Sequence, residues 1–321
     1  MRSPSRSAFL STVGAGIAGA AFPNVARAQA TPVRAAGVFS DLFAEPFYAK
    51  ACGAFSKIGL DLQPTNLYNA GAVAAAIGGG SLEMGMGDLI SGVNAINAGV
   101  PIVLIAAGGL YRTPVDRPEN ILAVADTSPV REPKDLAGKV IGVPTLVGVT
   151  TACLRAWLPA HGVPESQVKL VEVPPPTVPA ALMRGTIDAG LISEPFVTEF
   201  KTQLRPAGYP FDAAAELAKK KQICISVWYA SKSWMEEDRT RARNVVNAIY
   251  ETARWANAHQ DQTFDLLVQF GKLDAAKIQG MRRVAFATSL DPDLIQPVLT
   301  IAENLKMYTK PVTAASLINQ F

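Results

Sequence analysis

Apolar and polar positions along the chain repeat one order of elements twice. Residues 33–38 read as a short strand, a turn-rich segment leads through Pro46, and residues 47–58 read as a helix closed by Gly59. Residues 60–67 return as a strand. Further on, residues 139–143 read as a strand and residues 145–150 as a loop with two hydroxyls. A helix at 151–161, stopped at Gly162, and a returning strand at 168–173 complete the second set. Each set is the start of a βαβ unit, so the pattern predicts an α/β protein with mostly parallel sheets flanked by helices.

A second pattern links the two regions. The segment AAIGGGSLEMG at residues 75–85 can be laid on AALMRGTIDAG at residues 180–190 without a gap. In both, a small-residue helix ends near a glycine, Gly80 or Gly185, whose freedom at positive φ suits a helix C-terminus. A strand follows from Leu82 or Ile187 to Asp88 or Ser193. It opens on Leu89-Ile90 in one case and on Glu194-Pro195-Phe196 in the other. Two similarly built lobes are expected, against the alternative of coincidence in a chain rich in Ala and Gly. The polar, proline-bearing stretch 111–119 is the natural first crossing between them, and residues 222–229 the second. The organisation expected is therefore residues 31–115 plus 226–321 as one lobe and 116–225 as the other, after a leader at 1–30. Residues 238–259 place Val245, Val246, Ile249, Tyr250 and Ala253 on one helical face. Asp291-Pro292 opens another helix carrying Leu294, Val298, Ile301 and Leu305. These helices are expected to buttress the first lobe.

The leader changes the charge picture. Of the 30 Lys+Arg against 27 Asp+Glu in the 321 residues, Arg2, Arg6 and Arg27 lie in the first thirty residues with no acid beside them. The remaining chain is balanced, 30 − 3 = 27 against 27, and has no basic run with interleaved aromatics, which argues against nucleic-acid partners. Arg2 and Arg6 precede an apolar stretch from Ala8 to Phe22, and Ala28-Gln29-Ala30 supplies small residues at signal-peptidase spacing. Export is expected, with cleavage between Ala30 and Thr31 and the mature chain in the periplasm. The segment SRSAFL resembles a twin-arginine signal with Ser7 in place of the second arginine, which leaves both export routes open. No later segment offers about twenty uninterrupted apolar residues for a membrane span.

Catalytic and cofactor motifs are sparse. With two histidines and with Cys52, Cys153 and Cys224 far apart, no metal-ligand spacing can be written, and no cofactor is expected. GAGIAG at residues 14–19 satisfies a dinucleotide fingerprint but lies in the leader, with no strand to deliver it. No nucleophile elbow or phosphate loop occurs.

The segments EPFYAKACGAFSKIGLDL (45–62), GAVAAAIGGGSLEMGMGD (71–88), AGVPIVLIAA (98–107), VREPKDLAGKVIGVP (130–144) and AALMRGTIDAGLISEPF (180–196) follow one another in a telling order. Together they resemble the periplasmic solute-binding proteins of ABC importers, in the branch of nitrate, sulfonate and taurine binders and thiamine-precursor binders related to NMT1. The resemblance covers most of residues 33–230. It implies a two-lobed periplasmic-binding-protein fold (type II) with a two-crossing hinge, capture of a small solute, and delivery to a membrane permease with its ATPase, a monomer suiting one-to-one docking. The cysteine-rich iron motif of the fungal enzymes in this superfamily resembles nothing in this chain.

Transferred by position, the resemblance implies ligand contacts from Phe39, Ser40, Asp41, Leu42 and Phe43, from Asn69, Ala70 and Gly71, and from Asp88 in the first lobe. The second lobe would add Thr145, Val147, Gly148, Val149, Thr150 and Thr151, then Glu194, Pro195 and Phe196, while Tyr229 would close the floor. Each has a plainer alternative. Asp41, Asp88, Thr145 and Thr150 suit helix caps, Glu194-Pro195 suits a turn, and Phe43, Phe47 and Phe196 suit a core. His161 reads as a helix C-terminal residue, and the cysteines as buried small apolar groups. The acids Asp41, Glu45, Asp88 and Glu194 and the lack of basic residues in these loops favour a small neutral or amine-bearing organic solute. The counter-case is an oxyanion held by helix N-terminal amides, with Arg112 or Lys232 reaching inward. Solute capture for transport is the leading function. A secreted enzyme or a sensor subunit using the same cleft is the rival, and for an enzyme the candidate groups are Asp41, Asp88 and Glu194.

Overall fold

A computed structural model of the protein describes residues 30–112, 119–219, 222–308 and 310–318. Residues 1–29 of the expected leader at 1–30, and residues 113–118 of the expected first crossing, lie outside the described residues. The strands are β1 (Thr31–Val38), β2 (Leu60–Leu67), β3 (Met84–Asp88), β4 (Ile102–Ala107), β5 (Gly109–Arg112), β6 (Asn120–Ala125) and β7 (Val140–Val143). They continue as β8 (Lys169–Glu172), β9 (Ala189–Ser193), β10 (Leu204–Gly208), β11 (Gln222–Cys224), β12 (Ser226–Ser231) and β13 (Ala285–Phe286).

Two five-stranded sheets share one topology. The first has the order β2-β1-β3-β12-β4, and the second, read from its opposite edge, β8-β7-β9-β6-β10. In the first, β1 runs parallel to β2 and β3, while β12 is antiparallel to both β3 and β4. In the second, β7 runs parallel to β8 and β9, while β6 is antiparallel to both β9 and β10. Four strands in each sheet therefore point one way, and the fifth, inserted fourth in order, is the one that arrives after a crossing between sheets. The alignment of residues 75–85 on 180–190 superposes β3 on β9, the middle strand of each sheet.

Side-chain volume explains the local sequence. Strands β3 and β4 are buried along their whole length, as befits strands covered on both faces. The glycines of β3 serve this crowding: a Cβ on Gly85 would lie 2.9 Å from the Ala36 carbonyl oxygen, and one on Gly87 would lie 2.6 Å from the Tyr229 ring. The helix expected at 47–58 is instead two, Glu45–Cys52 and Ala54–Lys57. Gly53, at φ +74°, breaks it, a conformation costly for any residue with a Cβ. Gly80 and Gly185 adopt positive φ beyond their helices, as their sequence context predicts.

The C-terminal helices complete the first sheet's core. Val245, Ile249 and Ala253 of the helix Arg239–Ala258, and Leu294, Val298 and Ile301 of Pro292–Asn304, join the same buried cluster as Val33, Met84 and Leu104. Between the two large sheets, β11 pairs antiparallel with β5, and β13 takes the other edge of β5. The two chain passages thus run side by side in a small three-stranded sheet. The helix Val149–Ala160 leans back from the second sheet, placing Val149, Ala152 and Cys153 in the first core. Phe211 packs edge-on to Tyr111 with ring centroids 5.2 Å apart.

Candidate functional site

The carboxyl ends of both sheets converge on one cleft. In open α/β sheets this is where helix N-termini and loops leave room for ligands. From the first sheet the walls are Val38, Ser40, Leu42 and Phe43 beyond β1, Asn69 and Ala70 at the start of the helix Ala70–Gly78, and Asp88 at the end of β3. The second sheet contributes Pro144, Thr145 and Thr150 after β7, Pro175 after β8, and Leu191, Ile192 and Ser193 at the end of β9. Asn120 and Ile121 come from β6, and Pro210 and Phe211 from the loop beyond β10. The cavity they enclose has a volume of about 60 Å³. That space suits a small solute.

Asp88 is the joint of the cleft. Its Oδ1 accepts the Ser91 N–H at 2.9 Å, capping its own helix Leu89–Asn97, and the Val149 N–H at 3.0 Å, capping the helix Val149–Ala160 across the cleft. The Ser91 hydroxyl donates to Oδ2 at 2.6 Å. One carboxylate therefore satisfies the first turns of two helices that belong to different sheets, where negative charge is favoured. Burial pushes its pKa above the ordinary carboxylate value, an effect the Ser91 and Val149 donors oppose. Gly148 permits the contact: a Cβ there would lie 2.7 Å from the Thr145 methyl and 3.1 Å from Asp88 Oδ2. Asn69 caps its helix in the same manner, its side-chain oxygen accepting the Ala72 N–H at 2.9 Å.

Several residues expected at the ligand stand behind the wall instead. Asp41 is fully buried and accepts from Arg283 Nη2 at 2.8 Å, Arg283 Nε at 2.9 Å, the Tyr48 hydroxyl at 2.7 Å and the Val284 N–H at 2.9 Å. Glu194 is also buried. Its oxygens accept the Thr198 N–H and hydroxyl at 3.0 and 2.8 Å and the Arg282 N–H at 3.3 Å, and burial raises its pKa to about 7. It borders a separate pocket with Lys201, Tyr209 and Arg282. Phe196 is core and meets Phe39 edge-on at 5.8 Å, while Phe47 stacks on Phe270 at 4.1 Å. Tyr229 is fully buried, its hydroxyl donating to the Asp88 carbonyl beneath the floor. Pro195 sits at the turn before Phe196–Glu199.

Gly71, Val147, Gly148, Val149 and Thr151 do not line the cleft. Thr151 is buried and donates to the Thr145 carbonyl. Neither basic residue weighed for an oxyanion reaches inward: Arg112 donates to the Arg283 carbonyl, and Lys232 pairs with Glu236 at the surface. His161 ends its helix and stacks on Trp157 at 4.1 Å.

Among the wall residues that the sequence did not single out are Asn120, Pro210 and Phe211. Asn120 is hidden by direction: β6 runs against its neighbours, so its first residue, not its last, lies at the cleft. Its pairing with Ser193 across β6 and β9 puts two polar side chains at one strand end.

Two sheets of equal topology, paired chain passages and a cleft at their carboxyl ends define a two-lobed periplasmic-binding-protein fold. The chain belongs to the NMT1/THI5-like family, whose sequence profile matches residues 42–263. It is 26% identical over 261 residues to "Putative binding protein BAB2_1146" of Brucella abortus (strain 2308), covering 80% of this chain and 77% of that one. Among solved structures it resembles the periplasmic aliphatic sulphonate binding protein SsuA of Escherichia coli, with a TM-score of 0.67 at 16% identity over 90% of this chain and 98% of that one. The desulfurization enzyme DSZB has the same fold, with a TM-score of 0.60 at 16% identity over 90% and 96% of the two chains. Among the described residues no helix is long and apolar enough to cross a membrane.

Proposed function

We propose that the protein is the extracytoplasmic solute-binding subunit of an ABC importer, which captures a small organic solute between two lobes and hands it to a membrane permease with its ATPase. The lobes are residues 31–115 with 226–321, and 116–225. They close about the paired passages β5 and β11, and closure is driven by contacts the solute makes with both lobes at once. The observation that carries this reading is the cleft itself, walled by both sheets and bridged by one carboxylate. DSZB shows that the fold can host chemistry, but among the described residues the cleft walls hold no cysteine, histidine, lysine or arginine to act on a bound molecule.

Export fits the same reading. Thr31 is already the first paired residue of β1, opposite Leu60, so a cut after Ala30 leaves the strand intact. With no cation at the wall among the described residues, the cleft favours a neutral or amine-bearing organic solute over nitrate or a sulfonate. Native mass spectrometry of the purified protein tests the function: a small molecule carried over and released unaltered by denaturation is expected. A released product that differs from the molecule added would indicate an enzyme.

The Asp88 bridge makes a further prediction. Asp88→Ala removes the caps of two helices and the hydrogen bond that joins the lobes, at a cost of about 1–3 kcal/mol. The variant without added solute should show a larger radius of gyration in solution scattering than the wild type. An unchanged radius would mean that Asp88 does not hold the lobes together.

A further inference from the structure

We propose that Ser40 and Asn120, one from each lobe, form a polar pair that recognises an uncharged hydrogen-bond-accepting head group, a carboxamide or ketone carbonyl, on a small apolar solute. This rests on the solute-binding reading and gives it a substrate class.

The argument begins with which polar groups of the cleft are already engaged. The Asn69 side-chain oxygen holds the Ala72 N–H, and both Asp88 oxygens hold donors from Ser91 and Val149. Ser40 Oγ and Asn120 Nδ2 differ. Both residues line the cleft and are more than nine-tenths buried, at 3% and 9% exposure, and neither atom has a hydrogen-bond partner among the described residues. A buried polar group left unpaired costs about 1–3 kcal/mol. A pair of them on facing walls of a ligand cleft is explained by a ligand that completes both.

The chemistry of the two atoms then selects the head group. A side-chain amide nitrogen only donates, and the serine hydroxyl is free to donate as well. Two donors from opposite walls ask for an acceptor. An ammonium group cannot accept from Asn120 and would leave that buried donor unpaired. A carboxylate or sulfonate could accept, but among the described residues the cleft offers it no lysine, arginine or histidine, and Asp88, ringed by three donors as a carboxylate is, stands in the same wall. Desolvating an anion beside a like charge with no cation is costly. A neutral carbonyl meets both donors without that cost. Val38, Leu42, Phe43, Ile121, Leu191 and Phe211 leave the rest of the cleft suited to an apolar body.

The pair also links recognition to motion. Ser40 follows β1 and Asn120 begins β6, so a single carbonyl bonded to both is held only when the lobes are together. Such differential contact is what shifts a two-state protein toward closure.

The test is calorimetric titration of the full mature chain with two isosteric series that vary only the head group. One comprises 2-methylpropanamide, 2-methylpropanoate, propane-2-sulfonate and 2-methylpropylamine; the other comprises benzamide, benzoate, benzenesulfonate and benzylamine. The amide of at least one series should bind at least about tenfold more tightly than its charged isosteres, and Asn120→Leu should remove that advantage. Asn120→Asp, nearly isosteric, keeps the volume and exchanges the donor for an acceptor, so it should reverse the preference toward the amine. Ser40→Ala should weaken the amide several-fold.

Tighter binding of a sulfonate or carboxylate, an amide preference that survives Asn120→Asp, or failure of both series to bind would each overturn the proposal. The broader reading fails separately. A charged solute carried over in native mass spectrometry would sink the substrate class and leave solute capture standing, whereas conversion of a probe to product would sink solute capture itself.

Discussion

Asp41→Ala is expected to lower the free energy of unfolding by about 3–5 kcal/mol, measured by urea denaturation at neutral pH. The Asp41 side chain is excluded from solvent and that of Arg283 is 10% exposed. The carboxylate accepts two bonds from the guanidinium, one from the Tyr48 hydroxyl and one from the Val284 N–H. Removing it leaves a nearly buried cation with its principal partner gone, which is far worse than never having had the pair. Arg283 and Val284 lead directly into β13, the strand on the outer edge of β5, so the loss is also expected to loosen the hinge sheet. Replacing both charges, as in Asp41→Leu with Arg283→Met, should recover much of the stability. A loss below about 1 kcal/mol in the single variant would show that the pair does not anchor this loop.

Glu45→Gln is expected to flatten the dependence of stability on pH. Glu45 is fully buried, one oxygen accepting the Trp228 indole N–H at 2.8 Å and the other with no hydrogen-bond partner among the described residues. Burial raises its pKa from the ordinary 4.5 to about 8, against the smaller opposing effect of the indole. Between those values the folded chain holds a proton that the unfolded chain has released. Stability from this group is therefore complete below pH 4.5 and falls as pH rises toward 8, by up to about 5 kcal/mol. Asp88, Glu119 and Glu194 are shifted in the same direction, so the variant should reduce the slope without abolishing it. Melting temperatures between pH 5 and 8 that run parallel in the two proteins would contradict the assignment.

The fold was legible wherever local periodicity and a stop residue agreed. Strand β2 occupies residues 60–67 as read, and the long helix read at 238–259 is Arg239–Ala258, because Asp238 caps it and one apolar face runs its full length. The helix read at 47–58 failed at Gly53, whose left-handed conformation interrupts a stretch that is amphipathic on both sides. The three-stranded hinge sheet escaped notice because β13 is only two residues long and pairs with a strand 175 positions earlier, from Ala285 to Leu110.

The site was legible in place more than in role. Ser40, Leu42, Phe43, Asn69, Ala70, Asp88, Thr145 and Thr150 do stand on the cleft. The acidic loops suggested carboxylates facing a ligand, yet Asp41 turns away to Arg283 and Glu194 to the neighbouring Thr198 and to the Arg282 N–H, and the two arginines are remote in sequence, so no local pattern announces their proximity. The arginines that offset this acidity come from the 282–283 loop, which carries no motif. Asn120 was missed because strand-end reasoning assumes parallel direction, and β6 reverses it.

Closure on a bound solute is the central claim, and the distance between the lobes tests it most directly. Spin labels at Gln63 on β2 and Lys169 on β8, both exposed and on edge strands of their sheets, report that distance by pulsed dipolar spectroscopy, with Cys52 replaced by serine. Adding the solute recovered from the purified protein to chain stripped of it should narrow a broad distance distribution and move it to one shorter value. A distribution that stays the same at saturation would contradict the account.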